Sequence, residues 1–207
     1  ILETAIEDQT DERFALDLLR IRPLAGAILI GVALYVMIGV FDPLWVVMMD
    51  DLGAPNWIGN AGVSIFGMPW ILFATVGGAI AQKYGPFRVS AFGLVIGAFY
   101  MAAYGFIGSP YVMLSVAVTQ SALDALTVTG TGIAVANAAP PQRQAGASGL
   151  LGGIQTLTGG VVALAAGSVY EHFGRGVAFG ATGVAMLSLV CIGCLLAGPK
   201  LLRRPNH

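Results

Sequence analysis

Charged residues are scarce in this sequence. Of its 207 residues, ten are Lys or Arg, eleven are Asp or Glu and two are His. Charged residues make up 10% of the chain and hydrophobic residues 57%, whereas an average soluble domain carries about 25% charged residues. A soluble fold of this length cannot bury so much apolar surface, so lipid is the expected solvent. The formal net charge of -1 offers no basic face to a nucleic acid.

Cysteine is rarer still. The two cysteines, Cys191 and Cys194, both lie in one apolar run, which excludes a disulfide scaffold. The sequence indicates no enzyme, no cofactor and no metal site. The chain begins at Ile1 without a Met and without a basic, apolar leader. It is therefore expected to be a fragment or a processed chain.

Long uncharged runs dominate what remains. A membrane-crossing helix needs about 20 apolar residues, and the runs predict an all-α integral membrane protein with six transmembrane helices. Short connections make neighbouring helices antiparallel. The predicted spans lie near 24–49, 56–81, 88–107, 111–137, 146–170 and 176–198.

Basic residues predict the orientation. With a cytoplasmic N-terminus, nine of the ten basic residues fall in inside segments and only Arg175 falls outside. The positive-inside rule then predicts that both termini are cytoplasmic. The expected location is a plasma membrane, of the bacterial cytoplasmic type. The nine inside residues are Arg13, Arg20, Arg22, Lys83, Arg88, Arg143, Lys200, Arg203 and Arg204.

The two ends of the chain differ from its middle. Residues 1–22 hold six acids and three arginines and predict a cytoplasmic amphipathic linker, with a helix starting near Thr10 and a stop at Pro23. Residues 23–199 form the predicted membrane domain. Residues 200–207 form a basic cytoplasmic tail, which is expected to lie at the lipid headgroups.

The loop between the second and third spans carries a recognisable pattern. It reads "GGAIAQKYGPFRV" at 77–89, with Gly78, Gln82, Lys83, Gly85 and Arg88 in sequence. This resembles the inside-loop gate motif of the major facilitator superfamily, which joins the second and third helices of each six-helix half. The sequence departs from the family pattern at Gln82, where the family has an Asp, so the loop lacks the carboxylate of a charge-relay gate.

Two further segments carry the same resemblance. The stretch "APPQRQAGASGLLGGIQTLTGGVVALAAG" at 139–167 and "VYEHFG" at 169–174 resemble the C-terminal half of such a transporter, of the drug/proton antiporter kind. The resemblance implies one half of the fold, built from two inverted three-helix repeats. It implies a second six-helix half as partner, either the N-terminal half of the same protein or another copy. It also implies that the first and fourth helices of this half line the substrate cavity.

Two acids, Asp42 and Asp124, lie deep in the apolar spans, on those two helices. An ionisable residue inside a membrane is a functional hypothesis by default. We expect both to couple proton binding to substrate binding. Asp42 has an alternative interpretation, because "DP" at 42–43 could cap a second half-helix after a break. Tyr35 shares a face with Asp42, and Trp45 lies nearby.

The fourth span carries a polar stripe. Gln120, Asp124, Thr127 and Thr131 are spaced by four, three and four residues, and therefore share one helix face. Such a stripe cannot face lipid without leaving polar groups unpaired. It either lines the cavity or forms hydrogen bonds between helices. Gln155, in the glycine-rich fifth span, is a further cavity candidate.

These patterns predict half of a secondary active transporter that exports a small organic molecule by alternating access, driven by protons. Aromatic and sulfur-containing side chains favour an amphipathic or apolar substrate; they are Trp45, Met48, Met49, Phe66, Met68 and Trp70. The rival hypothesis is a non-transporting six-helix membrane scaffold or assembly partner.

Overall fold

The computed structural model describes residues 15–202, and all of its regular structure is helical. Predictions that concern residues 1–14 and 203–207 lie outside the described residues. Two short 3-10 helices, Leu16–Arg20 and Pro141–Arg143, accompany the long helices. The long helices are α1 (Arg22–Asp51), α2 (Asn56–Tyr84), α3 (Pro86–Tyr104), α4 (Pro110–Ala138) and a last stretch, Gln144–Leu202.

The last stretch is 59 residues long and has non-helical backbone at Gly174, with φ 79° and ψ 168°. An unbroken helix of that length would extend about 88 Å. Two arms result, α5 (residues 144–173) and α6 (residues 175–197). Gly176 lies against Gly105 at the end of α3, whereas Gly193 lies against Gly26 at the start of α1. The chain therefore reverses direction at Gly174, and α6 runs back along α3 and α1.

Five helical elements of the described chain are long and apolar enough to cross a membrane, the last being counted as one piece from 141 to 198. The prediction of an all-α membrane fold is therefore confirmed. The count of six spans remains a prediction, because it depends on α5 and α6 each crossing once.

Helix α1 runs without interruption through Asp42 and Pro43. The interpretation of this pair as the cap of a second half-helix is therefore wrong. Pro43 removes one backbone donor and frees the carbonyl of Gly39. Neighbouring helices hold the segment in place, since Gly39 packs closely on Gly159 of α5.

Basic side chains mark one end of the bundle. Arg22 begins α1, Lys83 lies in the last turn of α2, Arg88 in the first turn of α3, and Arg143 precedes α5. We call this the basic end. It is the end at which the orientation rule predicts the cytoplasm.

The linker before α1 is attached at the basic end. Leu18 is buried, and Arg143 forms a two-pronged ion pair with Asp17. The Arg143 guanidinium holds the pKa of the Asp17 carboxyl below its usual range. The contact joins the first described segment of the chain to the connection between α4 and α5.

Close backbone contacts between α1 and α6 yield a first prediction. A Cβ at Gly26 would lie 2.6 Å from the carbonyl oxygen of Gly193 and 2.8 Å from the amide nitrogen of Ala197. Backbone atoms cannot move aside as a flexible side chain does. We expect Gly26→Ala to destabilise the fold by about 1–3 kcal/mol, seen as a lower thermal unfolding midpoint of the purified protein.

Gly180 provides the matched control for this substitution. It also lies in a helix, but a Cβ there meets nothing within 4 Å. Gly180→Ala is expected to leave the midpoint unchanged or to raise it, because Ala has the higher helix propensity. Equal midpoints for the two variants would contradict the packing described.

Candidate functional site

A cavity of about 370 Å³ lies where α1, α2 and α4 meet. Each helix contributes residues with helical spacing, so one face of each helix forms a wall. The lining residues are Met37, Ile38, Phe41 and Asp42 from α1, Phe66, Gly67 and Trp70 from α2, and Ala117, Gln120, Ser121 and Asp124 from α4.

The cavity brings together the two acids that the sequence singles out. Asp124 is buried, with 7% of its surface exposed, whereas Asp42, which also lines the cavity, is exposed. None of the described residues that line the cavity is basic. The negative charges that the two carboxyls can carry therefore have no compensating cation within this lining.

Gln120 lies one helical turn before Asp124 on the same wall. Its side-chain nitrogen donates to the sulfur of Met37 across the cavity, at 2.8 Å. Its side-chain oxygen is buried and has no hydrogen-bond partner. A buried acceptor without a donor is costly, and a donor on a ligand or on a protonated carboxyl would satisfy it.

A second unpaired group lies behind the cavity. The hydroxyl of Tyr104 is also buried without a hydrogen-bond partner, and it is close enough to interact electrostatically with Asp124. The Tyr104 ring packs on Phe41 at 5.1 Å and on Phe179 at 5.8 Å. Among the described side chains, the hydroxyl of Tyr104 and the oxygen of Gln120 are the two buried polar atoms without partners. Both belong to the surroundings of Asp124.

Aromatic rings form the apolar part of the cavity wall. Phe41 and Phe66 meet edge to face with their centroids 5.4 Å apart. The hydroxyl of Ser121 donates to the carbonyl oxygen of Phe66 and joins α4 to α2 at the cavity. The wall therefore offers ring faces next to a small set of polar groups, which is the usual composition of a small-molecule site.

The remaining cavity candidates lie elsewhere. Thr127 and Thr131 are buried, and their hydroxyls donate to the carbonyls of Leu123 and Thr127, at 2.9 Å and 2.8 Å. Trp45 is buried, and its ring nitrogen faces the carbonyl of Ile58 in α2, at 3.4 Å. None of these three residues is among those that line the cavity.

Two further candidates lie at the contact between α1 and α5. The side-chain nitrogen of Gln155 donates to the carbonyl oxygen of Gly31 at 3.2 Å, which ties α5 to α1. Tyr35 packs against Gly159. Neither residue lines the cavity between α1, α2 and α4.

The loop pattern at 77–89 forms the turn between α2 and α3. Gly85 takes φ 95°, a conformation that suits glycine, and it ends one helix and begins the next. Lys83 lies over the Tyr84 ring, 5.4 Å from its centroid, and the side chains of Gln82 and Arg88 are exposed. Gly78 has room for a Cβ, which would lie 3.6 Å from a methyl group of Thr129. Its neighbour Gly77 provides the closer approach to the α4 backbone.

Sequence reasoning missed several lining residues, among them Ile38, Gly67 and Ser121. Ile38 lies four residues before Asp42 and Ser121 lies three residues before Asp124, so helical spacing around each acid is the signal that finds them. Of the six aromatic and sulfur-containing residues taken as a substrate hint, Phe66 and Trp70 line the cavity. Helical spacing around the two acids does not find the lining residues of α2, because their place in the cavity wall depends on which helix packs beside α1.

Water access to the cavity gives a second prediction. In a background where Cys191 and Cys194 are replaced by Ala, we expect Gly67→Cys to react with a water-soluble maleimide. A thiol reacts through its thiolate, which needs a polar environment, and Gly67 lines the cavity with room for a side chain. Mass spectrometry of the intact protein counts the label.

Gly180→Cys is the matched control for the labelling. Gly180 lies in α6, outside the cavity, with nothing within 4 Å of its Cβ position. We expect this variant to stay unlabelled in membranes. Labelling of both variants at similar rates would contradict a distinct aqueous cavity.

The sequence matches one known family of membrane proteins over most of its length. A family model described as the Major Facilitator Superfamily matches residues 27–207, which is most of the chain. No curated protein and no solved structure gave a match.

Proposed function

The chain belongs to the major facilitator superfamily of membrane transporters, and we propose that it forms half of a proton-coupled exporter of small organic molecules. The observation that supports this most is the cavity, in which Asp42, Asp124 and Gln120 meet an aromatic wall. A scaffold has no need of such a cavity. The arrangement therefore favours transport over the scaffold alternative.

Proton coupling is supported by the charges around the cavity. Two carboxyls share one small space, and no basic side chain is among the described lining residues. Ionised carboxylates in a membrane interior are costly unless they are neutralised. A proton or a cationic substrate can supply that neutralisation, and competition between the two would link proton entry to substrate release.

The cavity also limits the class of substrate. Phe41, Phe66 and Trp70 offer apolar ring surface, and the acids repel anions. A volume of about 370 Å³ is near the lower end of small-molecule sites. We infer a small, flat, amphipathic substrate that is neutral or positively charged.

The exposure of Asp42 supports the proposal that this chain is half of the transporter. A carboxyl that faced hydrocarbon would be costly, so a second six-helix half is proposed to cover this side. The proposal includes six spans, two inverted three-helix repeats and a cytoplasmic basic end, in a bacterial cytoplasmic membrane. The turn at Gly85 would then lie at the cytoplasmic gate.

Replacing Asp124 tests proton coupling. Inverted membrane vesicles that contain the chain assembled with its second half are given a pH gradient, and uptake of fluorescent aromatic dyes, cationic and neutral, is followed. We expect wild-type protein to accumulate at least one dye and Asp124→Asn to lose gradient-driven accumulation. Because Asn keeps the shape of Asp without a titratable proton, dye exchange at equal pH should persist in that variant.

Asp50→Asn is the matched control. Asp50 is an exposed carboxyl in the last turn of α1, away from the cavity. We expect it to transport as wild type does. Full gradient-driven accumulation by Asp124→Asn would exclude Asp124 as the coupling residue, and a complete wild-type transporter that moves no dye would contradict the proposed substrate class.

A further inference from the structure

A second concavity, of about 550 Å³, lies at the basic end on another side of the bundle. It is a groove between the first half of α3 and the end of α6, closed at its rim by the last residue of α2. The lining residues are Tyr84 from α2, Arg88, Val89, Ala91, Phe92 and Val95 from α3, and Val190 and Cys194 from α6. It shares no residue with the cavity between α1, α2 and α4.

The groove has a polar rim and an apolar floor. Arg88 and Tyr84 lie at its rim, where α2 ends and α3 begins. Val95 lies seven residues further along α3, which places it about 10 Å deeper at 1.5 Å per residue. Val190 and Cys194 form the opposite wall from α6. One end of the groove is therefore cationic, and the rest is lined by apolar side chains.

The charge at the rim has no partner within the described chain. No hydrogen bond or ion pair joins Arg88 to another described residue, and no acid lines the groove. Lys83 lies close by, over the Tyr84 ring. A complementary occupant carries an anionic group at the rim and an apolar chain that extends inward. A soluble phosphate satisfies the first requirement but leaves the apolar walls empty.

We propose that this groove binds an anionic phospholipid, with its phosphate on Arg88 and one acyl chain between α3 and α6. The site differs from the general attraction of basic residues to an anionic membrane surface, which amounts to about 1 kcal/mol per residue. Here the cation and the apolar walls belong to one groove, so loss of either is expected to lower the affinity for the same bound lipid.

Lipid titration followed by native mass spectrometry tests the proposal. The purified protein in detergent is titrated with dioleoylphosphatidylglycerol, with dioleoylphosphatidylcholine, and with sn-glycerol 3-phosphate as the soluble anion. Loss of about 1 kcal/mol is on the order of a fivefold change in affinity. We expect Arg88→Gln to lower the affinity for phosphatidylglycerol by at least that factor, and Arg88→Lys to restore binding.

The groove walls are tested by filling them. Cys194→Phe places a ring in the groove and is expected to lower the affinity for both phospholipids. Cys191 is exposed on the same helix but lies outside the groove, so Cys191→Phe should leave both affinities unchanged. Arg22→Gln removes one charge at the same end of the bundle, away from the groove, and should leave the affinity unchanged.

Three results would overturn the proposal. Equal losses of phosphatidylglycerol affinity in Arg22→Gln and Arg88→Gln would show general attraction to the basic end rather than a site at Arg88. Unchanged binding in Cys194→Phe would show that no chain enters the groove. Binding of glycerol 3-phosphate as tight as that of phosphatidylglycerol would show an anion site without a lipid. Each measurement is independent of transport, so failure of the transport proposal does not decide it.

Discussion

Close backbone packing around α1 is the constraint on which the rest of the bundle depends. Between apolar helices in lipid, association relies on van der Waals contact and on hydrogen bonds rather than on the hydrophobic effect. Glycines in α1 allow such contact, at Gly26 with α6 and at Gly39 with α5. At Gly31 the side-chain nitrogen of Gln155 also donates to the backbone carbonyl oxygen. Because α1 is fixed against α5 and α6, its remaining face is available to meet α2 and α4.

The cavity follows from what occupies that remaining face. Large side chains such as Met37 and Phe41 keep α1 from closing on α2 and α4, and Gln120 reaches across to Met37 instead of packing flush. Asp124 can therefore be buried between the helices and still border the cavity rather than packed apolar side chains. Near Asp124, the hydroxyl of Tyr104 and the side-chain oxygen of Gln120 keep hydrogen-bonding capacity that no described protein group uses.

The sequence was sufficient for the membrane class, the long helices and the family, because apolar run length and the loop pattern are local properties. It was not sufficient for the neighbours of each helix face. Gln120 and Thr131 share one azimuth on α4, yet they lie about 16 Å apart along the axis at 1.5 Å per residue. Helices cross at an angle, so the partner changes along that distance. Gln120 meets the cavity, whereas Thr131 packs at Gly31 of α1.

The side-chain chemistry of the polar stripe explains why its members differ in what they indicate. A Ser or Thr hydroxyl in a helix can donate to the carbonyl one turn earlier. In the described chain Thr119, Thr127, Thr158 and Thr182 do so, at 2.8 to 2.9 Å. Such a residue satisfies its donor within its own helix and can face any neighbour. A carboxyl has no proton to donate when ionised, and an amide must satisfy two ends. Asp42, Asp124 and Gln120 all line the cavity. Gln120 reaches Met37 of α1 with its side-chain nitrogen while its oxygen stays unpaired, and this need for partners, rather than polarity alone, separates it from the threonines of the same stripe.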